Sequence, residues 1–285
     1  MSCIILNWNG WQDTLQCLDA LKACTYPNLT VLVVDNGSTN DSVAKIRTAH
    51  RDVLLLESGN NLGFAGGNNI GIRYALAHGA EYLWLLNNDT EPAPDALSAL
   101  VAKARSDRQI GAVASICYYA DAPSAVQAWA GSRVNLWIGY GRLTTDPHHD
   151  DWFDTLNGTS MLLTRPALED VGLLDEGFFL YWEDTELCLR LRKKGWRIAA
   201  APDSRVLHKV NASTGGNGLI RDRYETASVL RVLRLHSPAP HVASALFLTV
   251  RFIRRLLRLQ FSRCRNVWSG IQDFRDTIPV SPRIR

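Results

Sequence analysis

VLLLESGNNLGFAGGNNIGIRYALAHGAEYLWLLNNDT, residues 53 to 90, carries the pattern that decides the fold. VLLLE (53–57) and YLWLLN (82–87) are short, continuous apolar runs, and between them residues 67–78 read as a helix. Runs that are apolar throughout, rather than alternating, belong to strands covered on both faces. A strand, a helix and a second strand form a βαβ unit, whose strands lie parallel. The alternation extends outward through the strand patterns SCIILN (2–7), LTVLVVD (29–35) and IGAVASI (110–116). Helical patterns fall at 11–23, 40–49 and 94–105. Asp41 or Asn40 suits the cap of the second, and Pro94 the first turn of the last. The expected class is α/β, a Rossmann-like and mostly parallel central sheet with helices on both faces.

In such sheets ligands bind beyond the carboxyl ends of the strands, and the polar residues collect there. Asn7 and Asn9 follow the first strand, and Asp35, Asn36, Gly37 and Ser38 the second. A loop holding Asn60, Asn61, Gly63, Gly66, Gly67, Asn68 and Asn69 follows the third, and Asn87, Asn88 and Asp89 the fourth. Each is ordinary turn chemistry alone; four in succession line a polar crevice. The glycine loop runs into a helix whose N-terminus suits an anion. It has neither GK[ST] nor GxGxxG, so ATP hydrolysis and NAD chemistry find no support. Asp89 leaves its strand where a hard divalent ion bridging a diphosphate would need a carboxylate.

The second half is less regular. Residues 118–142 lose periodicity and read as short antiparallel strands or an ordered loop, with Trp129, Trp137 and Tyr140 serving as a sugar platform or as packing. The pairs in TDPHHDDWFD (145–154) are adjacent and diverge, as in an exposed loop. NGTSMLLTR (157–165) gives a turn and a strand, and Pro166 starts a short helix. FFLYWEDTELCLRLRKKGW (178–196) sets Glu183 and Asp184 at the start of an amphipathic helix that Gly195 ends. Asp184 in that place is a helix cap or a general base. WRIAAAPDSRVLHKV (196–210) reads as two extended runs around Pro202, delivering His208. Neutral imidazole is a competent ligand for first-row metals, and a strand returning beside the crevice would set it opposite Asp89. Residues 213–217 (STGGN) have the composition of a lid. Residues 219–236 and 241–261 read as helices. The second presents Arg251, Arg254, Arg255 and Arg258 in one sector, as a membrane-surface helix or an oligomer contact would.

The 285 residues are 46% hydrophobic, ample for a core, and a net charge of +3 excludes a case for nucleic acid. The six cysteines show no CxxC or zinc-ligand spacing, which points to reduced, mostly buried thiols. Met1 runs straight into a strand pattern with no basic region before it, unlike a secretory signal. No apolar run approaches the ~18 residues of a membrane-spanning helix, so a cytoplasmic protein is expected.

Taken in order, ILNWNG, VVDNGSTND, NLGFAGGNN, LLNNDT and FFLYWEDTELCLRLRKKGW, followed by His208, resemble the family-2 inverting glycosyltransferases with the GT-A fold, over roughly residues 2 to 230. The bacterial rhamnosyltransferase-like branch is the one most resembled. The resemblance implies a catalytic domain over 1–217 and a C-terminal helical appendage over 218–285. Asn7, Asn9 and Asp35 would line the base and ribose pocket, with Gly66 and Asn68 near the nucleotide. Asn87 and Asn88 would lie close to ribose and phosphate, and Asp89 with His208 would hold Mg or Mn. Asp184 matches the general base and Glu183 its acidic neighbour, while Trp182 and Asn157 would border the acceptor. The implied partners are a dTDP- or UDP-sugar and a cell-surface polysaccharide or lipid-linked glycan. Asn87 and Asn88 stand where many members carry aspartate, which weakens the case for metal. The rival readings are a sugar nucleotidyltransferase and a sugar- or partner-binding module with a weakened site.

Overall fold

The central sheet grows from the four apolar runs near the N-terminus. In the computed structural model, which describes residues 1–209 and 218–276, they form β1 (Ser2–Asn7), β2 (Thr30–Asp35), β3 (Leu54–Glu57) and β4 (Tyr82–Asn87). These four strands are parallel, in the order β3-β2-β1-β4. Successive side chains of a strand point to opposite faces. Ile4, Leu32, Val34, Leu83 and Leu85 therefore pack into one core, and Cys3, Ile5, Val33, Trp84 and Leu86 into another. The helices α1 (Trp11–Lys22), α2 (Ser42–Ala49) and α3 (Gly63–Ala77) connect the strands.

The glycines of α3 serve packing. A Cβ on Gly71 would sit 2.6 Å from Ile4, and one on Gly67 would sit 2.4 Å from Leu6. Their absence lets the helix lie directly on β1. The helix begins at Gly63, four residues before the expected start, because the loop read as an anion cradle is its first turn. Its amides are already occupied: Leu62 N–H donates to Asn36 Oδ1, Gly63 N–H to Asn61 Oδ1, and Phe64 N–H to the Phe179 carbonyl. The expected anion site at this helix start is thus corrected to a structural joint.

Beyond β4 the sheet becomes mixed. After β5 (Thr90–Pro92) and α4 (Ala96–Ser106) come β6 (Ile110–Tyr119) and β7 (Val126–Trp129). Pro94 precedes α4 instead of entering its first turn, and its carbonyl accepts from Thr25 N–H at 2.9 Å. A small antiparallel sheet, β10-β8-β9, comprises β8 (Gly131–Asn135), β9 (Tyr140–Leu143) and β10 (Thr155–Leu156). β11 (Ser160–Thr164) runs antiparallel between β4 and β6. After α5 (Arg165–Val171) and α6 (Glu183–Lys193), β12 (Arg197–His208) is one strand with a register shift between Ala201 and Arg205, where two runs were expected. Its end pairs antiparallel with β5, His208 opposite Thr90. The 145–154 segment is anchored where an exposed loop was expected: Asp150 Oδ1 accepts from Ala200 N–H at 3.0 Å, and Lys103 pairs with Asp150 at 2.8 Å. The lid expected at 213–217 lies outside the described residues.

Three helices finish the described chain: α7 (Gly218–His236), α8 (Pro240–Leu256) and α9 (Phe261–Asp276). The expected 241–261 helix stops at Leu256, and Leu259 adopts a left-handed φ of 53° before α9. α7 clasps the segment ahead of α6. Arg231 binds Asp175 through two 2.9 Å hydrogen bonds, Ser228 Oγ donates to the Leu180 carbonyl at 2.9 Å, and Tyr224 stacks on Phe179 at 4.6 Å.

The expected basic sector of α8 divides. Arg251 and Arg255 turn inward to the fully buried Asp222 of α7, at 3.0 and 2.7 Å, and Arg263 of α9 joins them. A buried carboxylate recruits guanidinium groups because no other partner can replace its lost hydration. Replacing Asp222 by Ala strands these cations and is expected to cost about 3–5 kcal/mol. In native-state hydrogen exchange the amides of α8 and α9 should lose protection while β1, β2 and β4 keep theirs. Unaltered protection of α8 would show that the cluster does not hold these helices.

Candidate active site

At the carboxyl ends of β1, β2 and β4, polar side chains form one hydrogen-bonded floor. Asn7, fully buried, donates to Asp35 Oδ1 at 2.8 Å and to Ser38 Oγ at 3.2 Å, and its Oδ1 accepts from Thr14 at 2.9 Å. Asp35 also accepts from the Ser38 hydroxyl and amide, at 2.6 and 2.9 Å. Asn9 takes a left-handed φ of 57°, accepts from Thr39 N–H, and donates its own N–H to Ser38. Trp8, between these asparagines, is 46% exposed. Asn88 donates to Thr14 Oγ1 at 3.1 Å and to the Gly10 carbonyl at 3.3 Å. An ionised aspartate could donate neither bond, so the asparagine at 88 has a structural reason.

Asp89 and His208 meet because β12 pairs with β5. His208 Nε2 lies 3.3 Å from Asp89 Oδ1. That oxygen is buried and accepts no hydrogen bond. His208 Nδ1 faces Gln127 Oε1 at 2.6 Å; in the tautomer that donates this bond, Nε2 turns its lone pair toward Asp89. Two electron-pair donors aimed at one point suit a shared cation, so these residues fit a divalent ion. Among the described residues no group of three His, Cys, Asp or Glu side chains could hold a metal. Protein would thus supply part of the coordination and a ligand such as diphosphate the rest.

The acidic pair begins α6 after a strained approach. Tyr181 and Trp182 have φ of 70° and 68°, left-handed values that bulky residues rarely adopt and that recur at functional sites. Trp182, not Asp184, occupies the N-cap position. Asp184 Oδ1 accepts from Thr185 N–H at 2.6 Å and Oδ2 from Gly158 N–H at 2.9 Å. Glu183 is buried and its Oε2 has no hydrogen-bond partner. Burial, and then the charge of Asp184, pushes the Glu183 carboxyl up to about 8. Burial also raises Asp184, but the two amides oppose it. The amides at Asp184 and the orphaned oxygen of Glu183 both favour placing the negative charge of the pair on Asp184. Further along α6, burial of Glu186 disfavours its charge, yet His236 at 3.2 Å and Arg190 at 2.8 Å outweigh this and hold its carboxyl below the usual value.

One turn joins the two halves. Asn87 N–H donates to the Thr159 carbonyl at 2.9 Å, beside the Gly158 amide that binds Asp184. Asn157 shapes this turn, its Oδ1 accepting from Thr159 N–H and Oγ1 at 3.2 and 3.0 Å. Asn7, Asn9, Asp35, Asn87, Asn88, Asp89, His208, Asn157, Glu183 and Asp184 are thus linked through hydrogen bonds, an ion pair and chain adjacency at one edge of the sheet. Two expected nucleotide residues are not: Gly66 abuts Leu62, and Asn68 is buried with its amide on the Phe64 carbonyl. Trp182 packs on the cluster formed by α7, α8 and α9. Thr14, Thr159 and Gln127 escaped the sequence reading. Thr14 had a signal in NWNGWQDT, whereas Gln127 had none.

Comparison with known proteins agrees with this architecture. Residues 2–167 match the sequence profile of the glycosyl transferase family 2. An N-acetylglucosaminyl-diphospho-decaprenol L-rhamnosyltransferase of Mycobacterium tuberculosis is 30% identical, over 70% of this chain and 72% of that one. The low-salt glycan biosynthesis hexosyltransferase Agl10 of Haloferax volcanii is 27% identical, over 73% and 66% respectively. Among solved structures, the mannosyltransferase PcManGT of Pyrobaculum calidifontis, in complex with GDP-Man and Mn2+, superposes with a TM-score of 0.60. That match covers 97% of this chain and 87% of the other, at 18% identity, and bears on fold alone. These likenesses set aside the sugar nucleotidyltransferase alternative. With the GT-A fold, the polar strand ends and the acidic pair in place, the chain belongs to glycosyl transferase family 2, in its rhamnosyltransferase-like branch of hexosyl-transferring enzymes.

Proposed function

We propose that the protein transfers a sugar, rhamnose or a related hexose, from a nucleoside diphosphate (dTDP or UDP) to a hydroxyl of a lipid-linked or cell-surface glycan, with inversion. The observation that carries this reading is the 157–159 turn, which ties Asp184 to the strand leading to Asp89. It supports a reading in which Asp184 would serve as base on one side of the site and Asp89 with His208 would hold charge on the other. The donor's base and ribose would rest over Trp8, Asn9 and Asp35, with Asn87 and Asn88 beneath the phosphates. Asp89 and His208 would hold Mg or Mn, which when bound offsets charge on the departing diphosphate. Asp184 takes the acceptor's hydroxyl proton as that oxygen bonds to the anomeric carbon and the carbon–oxygen bond to the diphosphate breaks. Attack opposite the leaving group inverts the centre. The mycobacterial relative's name specifies a diphospho-decaprenol acceptor, which supports a lipid-linked acceptor here and work at the cytoplasmic face of a membrane. Residues 1–217 would form the catalytic unit, and 218–285 the helical region attached to it.

Asp184→Asn is expected to lower turnover by about 10²–10⁴-fold with donor affinity nearly unchanged. Glu183→Gln, which mimics the neutral acid, should stay within about tenfold of wild type. Single-turnover assays with a dTDP- and UDP-sugar panel read both, and equal losses would move the base to Glu183 or to the pair jointly.

A second expectation concerns stability. Glu183 retains its proton to about 8 when folded but releases it near 4.5 when unfolded. The folded state binds the extra proton in that interval, so this contribution is present at low pH and fades as pH rises toward 8. Melting temperature followed from about pH 5 to 9 should fall more steeply for wild type than for Glu183→Gln. Parallel curves would contradict the buried neutral acid.

Third, Asp89→Asn or His208→Ala should weaken Mn2+-dependent binding of dTDP or UDP, measured calorimetrically, by at least about tenfold. Nucleotide binding without metal should change little. Identical metal dependence in all forms would remove this pair from the ion.

A further inference from the structure

With Arg251 and Arg255 turned inward, α8 shows solvent an apolar stripe. Leu246, Val250, Ile253 and Leu257 recur at three- and four-residue spacing and are all exposed. Past the turn, Leu259 and Phe261 continue it, 75% and 65% exposed. A second exposed apolar group comes from the β8–β9 hairpin, where Trp137, Ile138 and Tyr140 are uncovered. The hairpin packs on the same helices, because a Cβ at Gly139 on its turn would meet the buried Val229 and Leu233 of α7 and Phe247 of α8. Elements distant in sequence thus present exposed apolar side chains around the same helical unit, and clusters of this kind mark interaction surfaces.

We propose that this surface, the hairpin tip together with the outer face of α8 and the start of α9, seats the protein on an anionic lipid bilayer. The proposal deepens the membrane reading above, and rests on it, but does not depend on the identity of donor or base. Charge decides the occupant. No Asp or Glu occurs between Glu225 and Asp273, and Arg254, Arg258 and Arg265 are exposed along the apolar stripe. A second copy meeting this face across a two-fold axis would oppose arginine with arginine and offer no acid to either. Anionic headgroups supply the missing charge, and Trp137 and Tyr140 are residue types favoured at the membrane–water boundary. Among the described residues no helix is long and apolar enough to cross a membrane, so α8 would lie in the interface plane.

The test is flotation with phosphatidylcholine vesicles, with and without about one third phosphatidylglycerol. Wild type should float with the anionic vesicles at least about tenfold better than with neutral ones. Arg254→Gln with Arg258→Gln should lose about tenfold of that partitioning, and both Leu257→Glu with Leu259→Glu and Trp137→Ala with Tyr140→Ala should weaken it. All three double variants should keep wild-type melting temperature and turnover of a soluble acceptor analogue, since none touches the crevice. Absence of wild-type flotation, or flotation unchanged in any of these variants, overturns the proposal. So does a dimer in sedimentation analysis that Leu257→Glu with Leu259→Glu dissolves. Failure of sugar transfer with intact flotation would count against the proposed reaction alone.

Discussion

Two main-chain amides hold the candidate site together. Asn87 N–H binds the Thr159 carbonyl, and Gly158 N–H binds the Asp184 carboxylate, both at 2.9 Å. The first belongs to the edge where β11 joins β4; the second crosses to the start of α6. The polar strand ends and the acidic pair are therefore referred to the same short turn, and neither shifts without straining the other. Precision of this kind is what proton abstraction in concert with bond formation requires. Gly158 also has a steric reason, since a Cβ there would come within 3.1 Å of Asp184 Oδ2.

The distribution of charge follows from this geometry. Both carboxyl groups of the pair are desolvated and both lie in the first turn of α6, where the helix dipole favours an anion, but Asp184 accepts from the amides of Gly158 and Thr185 on its two oxygens. Glu183 has an oxygen with no donor and accepts the proton instead. α7 keeps this arrangement in place from behind. Through Arg231, Ser228, Tyr224 and His236 it grips Asp175, Leu180, Phe179 and Glu186 on both sides of the strained Tyr181–Trp182 step. The C-terminal helices thus support the site as well as offering a surface of their own.

Much of the fold was legible. Continuous apolar runs separated by helical periodicity can satisfy their burial only in a layered sheet, and the elements formed within a few residues of expectation. The polar strand ends were legible for the same reason, because alternating strands and helices send every parallel strand's carboxyl end to one edge. What misled was chemistry with two uses. Glycines at 63, 66, 67 and 71 look alike whether they cradle a phosphate or admit a neighbouring strand, and only their contacts with Phe179, Leu62, Leu6 and Ile4 distinguish these. Arginines at 251 and 255 look solvent-facing until Asp222 is found buried beside them.

By itself, then, the sequence determined the α/β class, the polar edge, the acidic pair at a helix start and the family to which they belong, since all of these rest on local periodicity and residue order. Tertiary structure alone decided which groups meet. His208 faces Asp89 because β12 pairs with β5, Gln127 meets the far side of that imidazole from another strand, and the Gly158 amide lies against Asp184 rather than Glu183. Desolvation and hydrogen bonding act through space, and the order of residues along the chain does not contain those distances.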